Sequence, residues 1–292
     1  MKRKTVTGMR FPFFAISIIA MISLMVSACD NSKISGSGNK NGNTSEAEGG
    51  IRSERIVYMS GNDTLIGYLF YDSSTEDARP GIIVVHEWWG NNEYPRMRAR
   101  QLAELGYTAF AADMYGNSRV VETPQEAQQL AGQIYSDPQL LKKRMMAAYD
   151  TLSKMSQTDK SKIGAIGYCF GGTVSLTAAS MGVPLDAVVS FHGGLKGFSS
   201  SPEMKNINVL VCNGRSDEFV TREDIRSFKK EMEKNGIAYE FKEYEGATHA
   251  FTNPNSTETG KKYQMPIAYN ETADKASWQD MKDFFDQHFP AR

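Results

Sequence analysis

From residue 81 onward, short apolar runs alternate with longer stretches in which apolar residues recur every three or four positions. The runs are Gly81–His86, Tyr107–Asp113, Lys162–Gly167, Ala187–Phe191, Val209–Asn213 and Tyr239–Tyr244. They are of strand length, rich in Val, Ile and Phe, and bounded by Gly, Pro, Asn or Asp, which predicts strands. The helical-period stretches lie near Pro95–Leu105, Pro124–Tyr135, Pro138–Met155, Phe170–Ser180, Thr221–Asn235 and Ala273–His288. Ahead of them, Arg55–Ser60 and Thr64–Tyr71 flank Gly61-Asn62-Asp63 and read as a hairpin. Strands that alternate with helices pair in parallel, because each crossover returns the chain to the same end of the sheet. The pattern therefore predicts an α/β fold with a mostly parallel twisted sheet and helices on both faces. In such a sheet ligands bind beyond the carboxyl ends of the strands.

One strand-to-helix junction carries reactive chemistry. Gly167-Tyr168-Cys169-Phe170-Gly171-Gly172 contains Gly-x-Cys-x-Gly between the strand Lys162–Gly167 and a helix of small residues. That is the pattern of a nucleophile elbow with cysteine in place of the more usual serine. The turn lifts one side chain above the sheet, and its neighbours are small because strand and helix close on it. A buried structural cysteine in a Gly-rich turn is the competing reading. Cys169 falls at a helix N-terminus, whose dipole favours the thiolate, the nucleophilic form of cysteine.

An elbow nucleophile works with an acid and then a histidine further along the chain. Asp217 follows the strand Val209–Asn213, with Glu218 the weaker neighbour, and His249 follows the strand Tyr239–Tyr244. Each also fits a structural role, Asp217 as a turn or cap residue and His249 as an ordinary loop histidine. Three such residues in the required order, each at a strand end, favour the catalytic set. His192 comes too early to be the last member, and His288 lies in the final amphipathic helix. Trp88, Trp89 and Tyr115 follow strand ends on the same face and are candidates for an apolar substrate pocket, or for packing of the loops.

With these residues in view, the chain resembles the dienelactone hydrolase family, a cysteine branch of the α/β-hydrolases. The likeness rests on Gly167–Gly172, on Asp217, and on Glu245-Gly246-Ala247-Thr248-His249-Ala250-Phe251. Val84-Val85-His86-Glu87-Trp88-Trp89-Gly90 and Ala112-Asp113-Met114-Tyr115-Gly116 add to it. The resemblance implies an α/β-hydrolase fold from about Ile51 to the C-terminus. It also implies that Glu87 sits beside the thiol and engages it at rest, and that the backbone N–H groups of Phe170 and Trp88 form an oxyanion hole. Both Glu87 and His249 are then candidates for taking the thiol proton, and residue order does not choose between them. Where family members that open dienelactone carry a substrate-clamping arginine, this chain has Asn253. The helix segment Gln125–Gln133 carries no arginine either. An amide cannot supply the charge of a guanidinium fork, so the expected substrate is a small ester, lactone or thioester, with no advantage expected for a carboxylate-bearing lactone such as dienelactone over neutral analogues.

The N-terminus adds a location. Lys2, Arg3, Lys4 and Arg10 precede the apolar run Phe11–Val26, and Val26-Ser27-Ala28-Cys29 looks like a bacterial lipobox. The reading is a lipoprotein signal over 1–28, lipid on Cys29, a linker over 29–50 and the catalytic domain over 51–292. That puts the enzyme on the extracytoplasmic side of the cell membrane, anchored by lipid. Asp30–Gly50 is rich in Gly, Ser and Asn and reads as a flexible tether with an r.m.s. reach of roughly 25 Å. Cys29, Cys169 and Cys212 are the three cysteines. With two already assigned and Cys212 inside an apolar strand, no disulfide pair or zinc spacing is evident. No metal or other cofactor is expected. The 33 basic and 34 acidic residues give a net charge of −1, and no basic patch suggests nucleic acid. A thioesterase or broad carboxylesterase on the same machinery is the near alternative. A non-catalytic lipoprotein scaffold is the distant one, since a scaffold has no need of Cys169, Asp217 and His249 together.

Overall fold

A computed structural model describes residues 45–48 and 50–291. The lipobox, Cys29 and most of the tether lie outside the described residues. In chain order the elements are β1 (Ser45–Glu48), β2 (Ile51–Ser60), β3 (Asp63–Asp72), β4 (Arg79–Val85), α1 (Glu93–Glu104), β5 (Thr108–Ala112), α2 (Pro124–Ser136), α3 (Pro138–Ser153), β6 (Thr158–Tyr168), α4 (Phe170–Ser180), β7 (Ala187–Phe191), β8 (Asn208–Gly214), α5 (Arg222–Lys234), β9 (Tyr239–Tyr244), α6 (Ser256–Tyr263) and α7 (Glu271–His288). Among the described residues the strands form one sheet in the order β1-β2-β3-β5-β4-β6-β7-β8-β9. β1, β2, β3 and β5 pair antiparallel in succession, and every pair from β5 to β9 is parallel. The fold is an α/β-hydrolase fold: its mostly parallel sheet with helices on both faces is what the strand and helix pattern predicts, and its hydrolase form is what the resemblance implies.

Side-chain alternation explains why the sheet is covered on both faces. Successive residues of a strand point to opposite sides. Ile83, Val85, Ala165, Val188, Val209 and Val211 accordingly pack with Leu130, Met145, Val174 and Phe228 on one face. Ile82, Val84, Ile166, Val189, Leu210 and Cys212 pack with Ala99, Leu102, Met281, Phe284 and Phe285 on the other. Each Val, Ile, Leu, Met or Phe among them contributes roughly 1.5–3 kcal/mol when fully buried. A near-continuous apolar strand is what two covered faces require.

Two elements differ from the sequence expectation. Ser45–Glu48 falls in the segment read as linker from its composition, yet it pairs with β2 from Ser45↔Glu54 to Glu48↔Ile51. Helix α6 has no counterpart in the sequence reading, because its residues STETGKKY show no apolar stripe. It forms where Gly260 lets the chain close on itself: a Cβ there would lie 2.3 Å from the Ile267 carbonyl oxygen.

Candidate active site

The parallel strands end in register, and the residues that follow them converge. Val85 pairs with Gly167, Tyr168 with Phe191, and Gly214 with Tyr244. Glu87 follows β4, Cys169 follows β6, His192 follows β7, Asp217 follows β8 and His249 follows β9. All five lie at one rim of the sheet.

Cys169 is the N-cap of α4 and has φ 53° and ψ −114°, a conformation unusual for a residue with a side chain. The surrounding glycines make it possible. A Cβ on Gly167 would lie 2.0 Å from the Gly171 carbonyl oxygen, and one on Gly171 would lie 2.2 Å from that of Val85. Strand, turn and helix are therefore closer than any other residue allows.

Cys169 Sγ lies 3.0 Å from His249 Nε2, and His249 Nδ1 lies 2.8 Å from Asp217 Oδ2. Asp217 Oδ1 accepts from the backbone N–H of Phe219 at 2.9 Å, which fixes the carboxylate plane. A carboxylate only accepts, so Nδ1 carries the proton and Nε2 faces the sulfur. Burial alone pulls the His249 pKa down, but the Cys169 sulfur and the Asp217 carboxylate together outweigh it and hold the imidazole well above its ordinary value. Such an arrangement sets a proton acceptor against the sulfur and is chemically competent for acyl transfer.

Glu87 is 3% exposed, and burial pushes its pKa up to about 7, against the lowering effects of an Asn253 hydrogen bond and the nearby His249 and Arg98 charges. Its Oε2 accepts from Asn253 Nδ2 at 2.6 Å. The resemblance implied a Glu87 carboxyl engaged with the resting thiol. Here the sulfur is bonded to His249 and the carboxyl to Asn253, although Glu87 and Cys169 line the same cavity.

That cavity, of about 210 Å³, is walled by Trp88, Trp89, Tyr135, Phe170, Phe219, Met265 and Ile267. Among the described residues its polar lining side chains are those of Glu87, Cys169, Thr173, Tyr135 and His249, with no Lys or Arg among them. Trp88 and Trp89 thus line the cavity as expected. Tyr115 and Asn253, read from sequence as pocket residues, stand behind its wall. The Tyr115 hydroxyl donates to the Trp88 carbonyl at 2.9 Å, and Asn253 holds Glu87 and borders an adjoining groove.

Sequence reasoning missed two other histidines. His192 Nδ1 accepts from the Cys169 N–H at 3.0 Å, and its Nε2 lies 2.7 Å from Thr252 Oγ1. Chain order removed it from the triad, but it steadies the nucleophile's own backbone. His86 is fully buried against Phe170 and Tyr115. Of the cavity walls that went unnoticed, Phe219 had a readable signal, a large apolar residue two positions after Asp217 on an exposed loop. Met265 and Ile267 had none, because they arrive through the unforeseen α6 turn.

A model of the dienelactone hydrolase family matches residues 66–289. The chain belongs to the dienelactone hydrolase family. Protein usf of Aquifex pyrophilus is 30% identical over 214 residues, covering 69% of this chain and 89% of that protein. A solved dienelactone hydrolase-like promiscuous phosphotriesterase from metagenomic libraries is 32% identical with a TM-score of 0.77, covering 82% of this chain and 99% of that one. The dienelactone hydrolase of Anabaena variabilis shares the fold at 20% identity and a TM-score of 0.58, covering 82% and 99%. With the family established, the protein is a hydrolase acting on ester or lactone bonds.

Proposed function

We propose that the protein hydrolyses small, uncharged esters or lactones through a Cys169–His249–Asp217 triad and a thioester intermediate. The observation that carries the reading is the continuous relay from Sγ to Nε2 and from Nδ1 to Oδ2, at 3.0 and 2.8 Å, opening into a cavity that no Lys or Arg lines among the described residues. The Cys169 thiolate attacks the acyl carbon, and the developing oxyanion takes the N–H groups of Phe170 and Trp88. The ester C–O bond breaks and the leaving oxygen takes the proton from His249 Nε2. Water then attacks the thioester with His249 as base, and the thiolate departs. The short Sγ–Nε2 distance favours His249 over Glu87 as the group that takes the thiol proton. Glu87, held by Asn253 and with its pKa pushed up to about 7 by burial, puts less than a full fixed negative charge on the cavity wall near neutral pH.

A broader reading, a carboxylesterase or thioesterase that also accepts neutral phosphotriesters, is favoured by the relative described as a promiscuous phosphotriesterase. One screen separates these. Activated esters, lactones, thioesters and a neutral phosphotriester are offered to the wild type and to Cys169→Ala. The triad reading expects at least a roughly 10³-fold loss of ester turnover in a folded Cys169→Ala protein. Retained turnover would end it.

The N-terminal signature supports a lipid anchor on Cys29, outside the cytoplasm, with the catalytic domain on a tether. Intact mass of the membrane fraction is expected to show loss of residues 1–28 and added acyl chains. A mature protein with an unmodified Cys29 would refute the anchor.

A further inference from the structure

We infer that His86 is a positioning residue for the oxyanion hole, acting on the peptide between Glu87 and Trp88. The inference rests on the triad reading above, with Trp88 and Phe170 as the oxyanion donors.

The partners of His86 determine its tautomer. Nδ1 lies 2.5 Å from the Glu87 carbonyl oxygen, which can only accept. Nε2 lies 3.2 Å from the Met114 backbone nitrogen, which can only donate. The ring is therefore neutral, with its proton on Nδ1 and its lone pair on Nε2. Burial supports this, since it pushes the His86 pKa down to about 4.

The Glu87 carbonyl and the Trp88 N–H belong to one trans peptide, so they point in opposite directions across a rigid plane. A hydrogen bond that pins the carbonyl also aims the N–H. The Gly90 N–H supports the same carbonyl at 3.2 Å, and the Tyr115 hydroxyl pins the next one, that of Trp88, at 2.9 Å. Among the described residues the Trp88 and Phe170 N–H groups donate to no partner, as donors reserved for a substrate oxygen would. His86 also reaches the second donor residue. Its ring stacks on Phe170 at 5.5 Å and 17°, and Tyr115 meets both rings, at 4.7 Å from His86 and 5.3 Å from Phe170. One buried aromatic cluster thus sits behind both halves of the oxyanion hole. An oxyanion donor acts through its direction at the moment charge develops, so a misaimed N–H lowers kcat while leaving ground-state binding almost intact.

The test compares His86→Phe, which keeps a ring for stacking but has neither hydrogen bond, with His86→Gln, whose amide offers one donor and one acceptor. Rates are normalised to folded sites by titrating Cys169, so a loss of folded protein does not enter. For a neutral aryl ester, His86→Phe is expected to lose about 10–100-fold in kcat with KM within roughly threefold, and His86→Gln to recover most of the loss. Alkylation of Cys169 by iodoacetamide, which develops no oxyanion, should keep its wild-type rate in both. Wild-type kcat per titrated site in His86→Phe would overturn the inference. So would an alkylation rate that falls in step with kcat, since His86 would then act on the sulfur. Failure of the underlying triad reading is distinct, because it appears as turnover by Cys169→Ala.

Discussion

The floor and the roof of the cavity are built on opposite terms. The floor is the elbow, where backbone meets backbone. Gly167, Gly171 and Gly172 leave no room for a Cβ, and Cys169 is held at positive φ with its N–H bonded to both Phe191 O and His192 Nδ1. The roof is side chains. Tyr135 is 48% and Phe219 51% exposed, and Met265 and Ile267 are partly open. Dense backbone packing fixes the atoms that react, while loosely packed apolar side chains on loops and helix ends choose what is presented to them. Chemistry and selectivity should therefore break separately, and in very different amounts.

The floor should tolerate least. In Gly171→Ala the new methyl would lie 2.2 Å from the Val85 carbonyl oxygen and 2.7 Å from that of His86. Neither backbone atom can move without displacing the end of β4 and the peptide that joins His86 to Glu87. Expected are a destabilisation of about 3 kcal/mol or more and a loss of at least about tenfold in kcat of the folded fraction. Thermal melts and site-titrated kinetics measure both. A melt within a degree of wild type would show that the elbow has slack.

Glu87 stands between floor and roof, and its effect should be read in pH. Folded Glu87 keeps its proton up to about pH 7, whereas the unfolded chain releases it near 4.5. Between those values the folded state binds more protons, so stability falls as pH rises and levels off above the folded value. A shift of that size corresponds to about 3 kcal/mol. Glu87→Gln, which keeps an acceptor for Asn253, removes the penalty. The variant should match wild type near pH 4 and exceed it by that amount at pH 8, as followed by urea unfolding. An equal margin at both pH values would mean that Glu87 titrates in the folded protein as it does in the unfolded chain.

The same contrast explains how much was legible in the sequence. The parallel strands, the elbow and the order Cys169, Asp217, His249 were readable because each rests on local rules: apolar periodicity, small residues at a tight turn, polar residues after strand ends. The hydrogen-bonding roles of His86 and His192 were not, since they depend on which backbone atoms of other strands come within 3.2 Å. Asn253 was noticed for the charge it lacks, but its partner Glu87 lies 166 positions away. Ser45–Glu48 reads as tether by composition, and only its pairing with β2 makes it a strand. The roof was the least legible part, because Met265 and Ile267 reach it through a helix whose own sequence is polar.

The smallest effect should come from the roof, and Phe219→Ala isolates it. Phe219 contributes in two separable ways. Its backbone N–H holds Asp217 Oδ1 at 2.9 Å, and its ring meets His249 edge-on at 5.0 Å and 74° while walling the cavity. Alanine keeps the N–H, so Asp217 and His249 should stay in place and kcat for a small acetyl ester should remain within about twofold. The lost ring removes apolar contact worth roughly 1 kcal/mol to an aromatic substrate. KM for an aryl ester of larger size should then rise about fivefold, while the acetyl ester is little affected. Steady-state kinetics on the two substrates decide it. If kcat falls equally for both, the ring orients His249, and this part of the roof belongs to the reaction machinery rather than to selection.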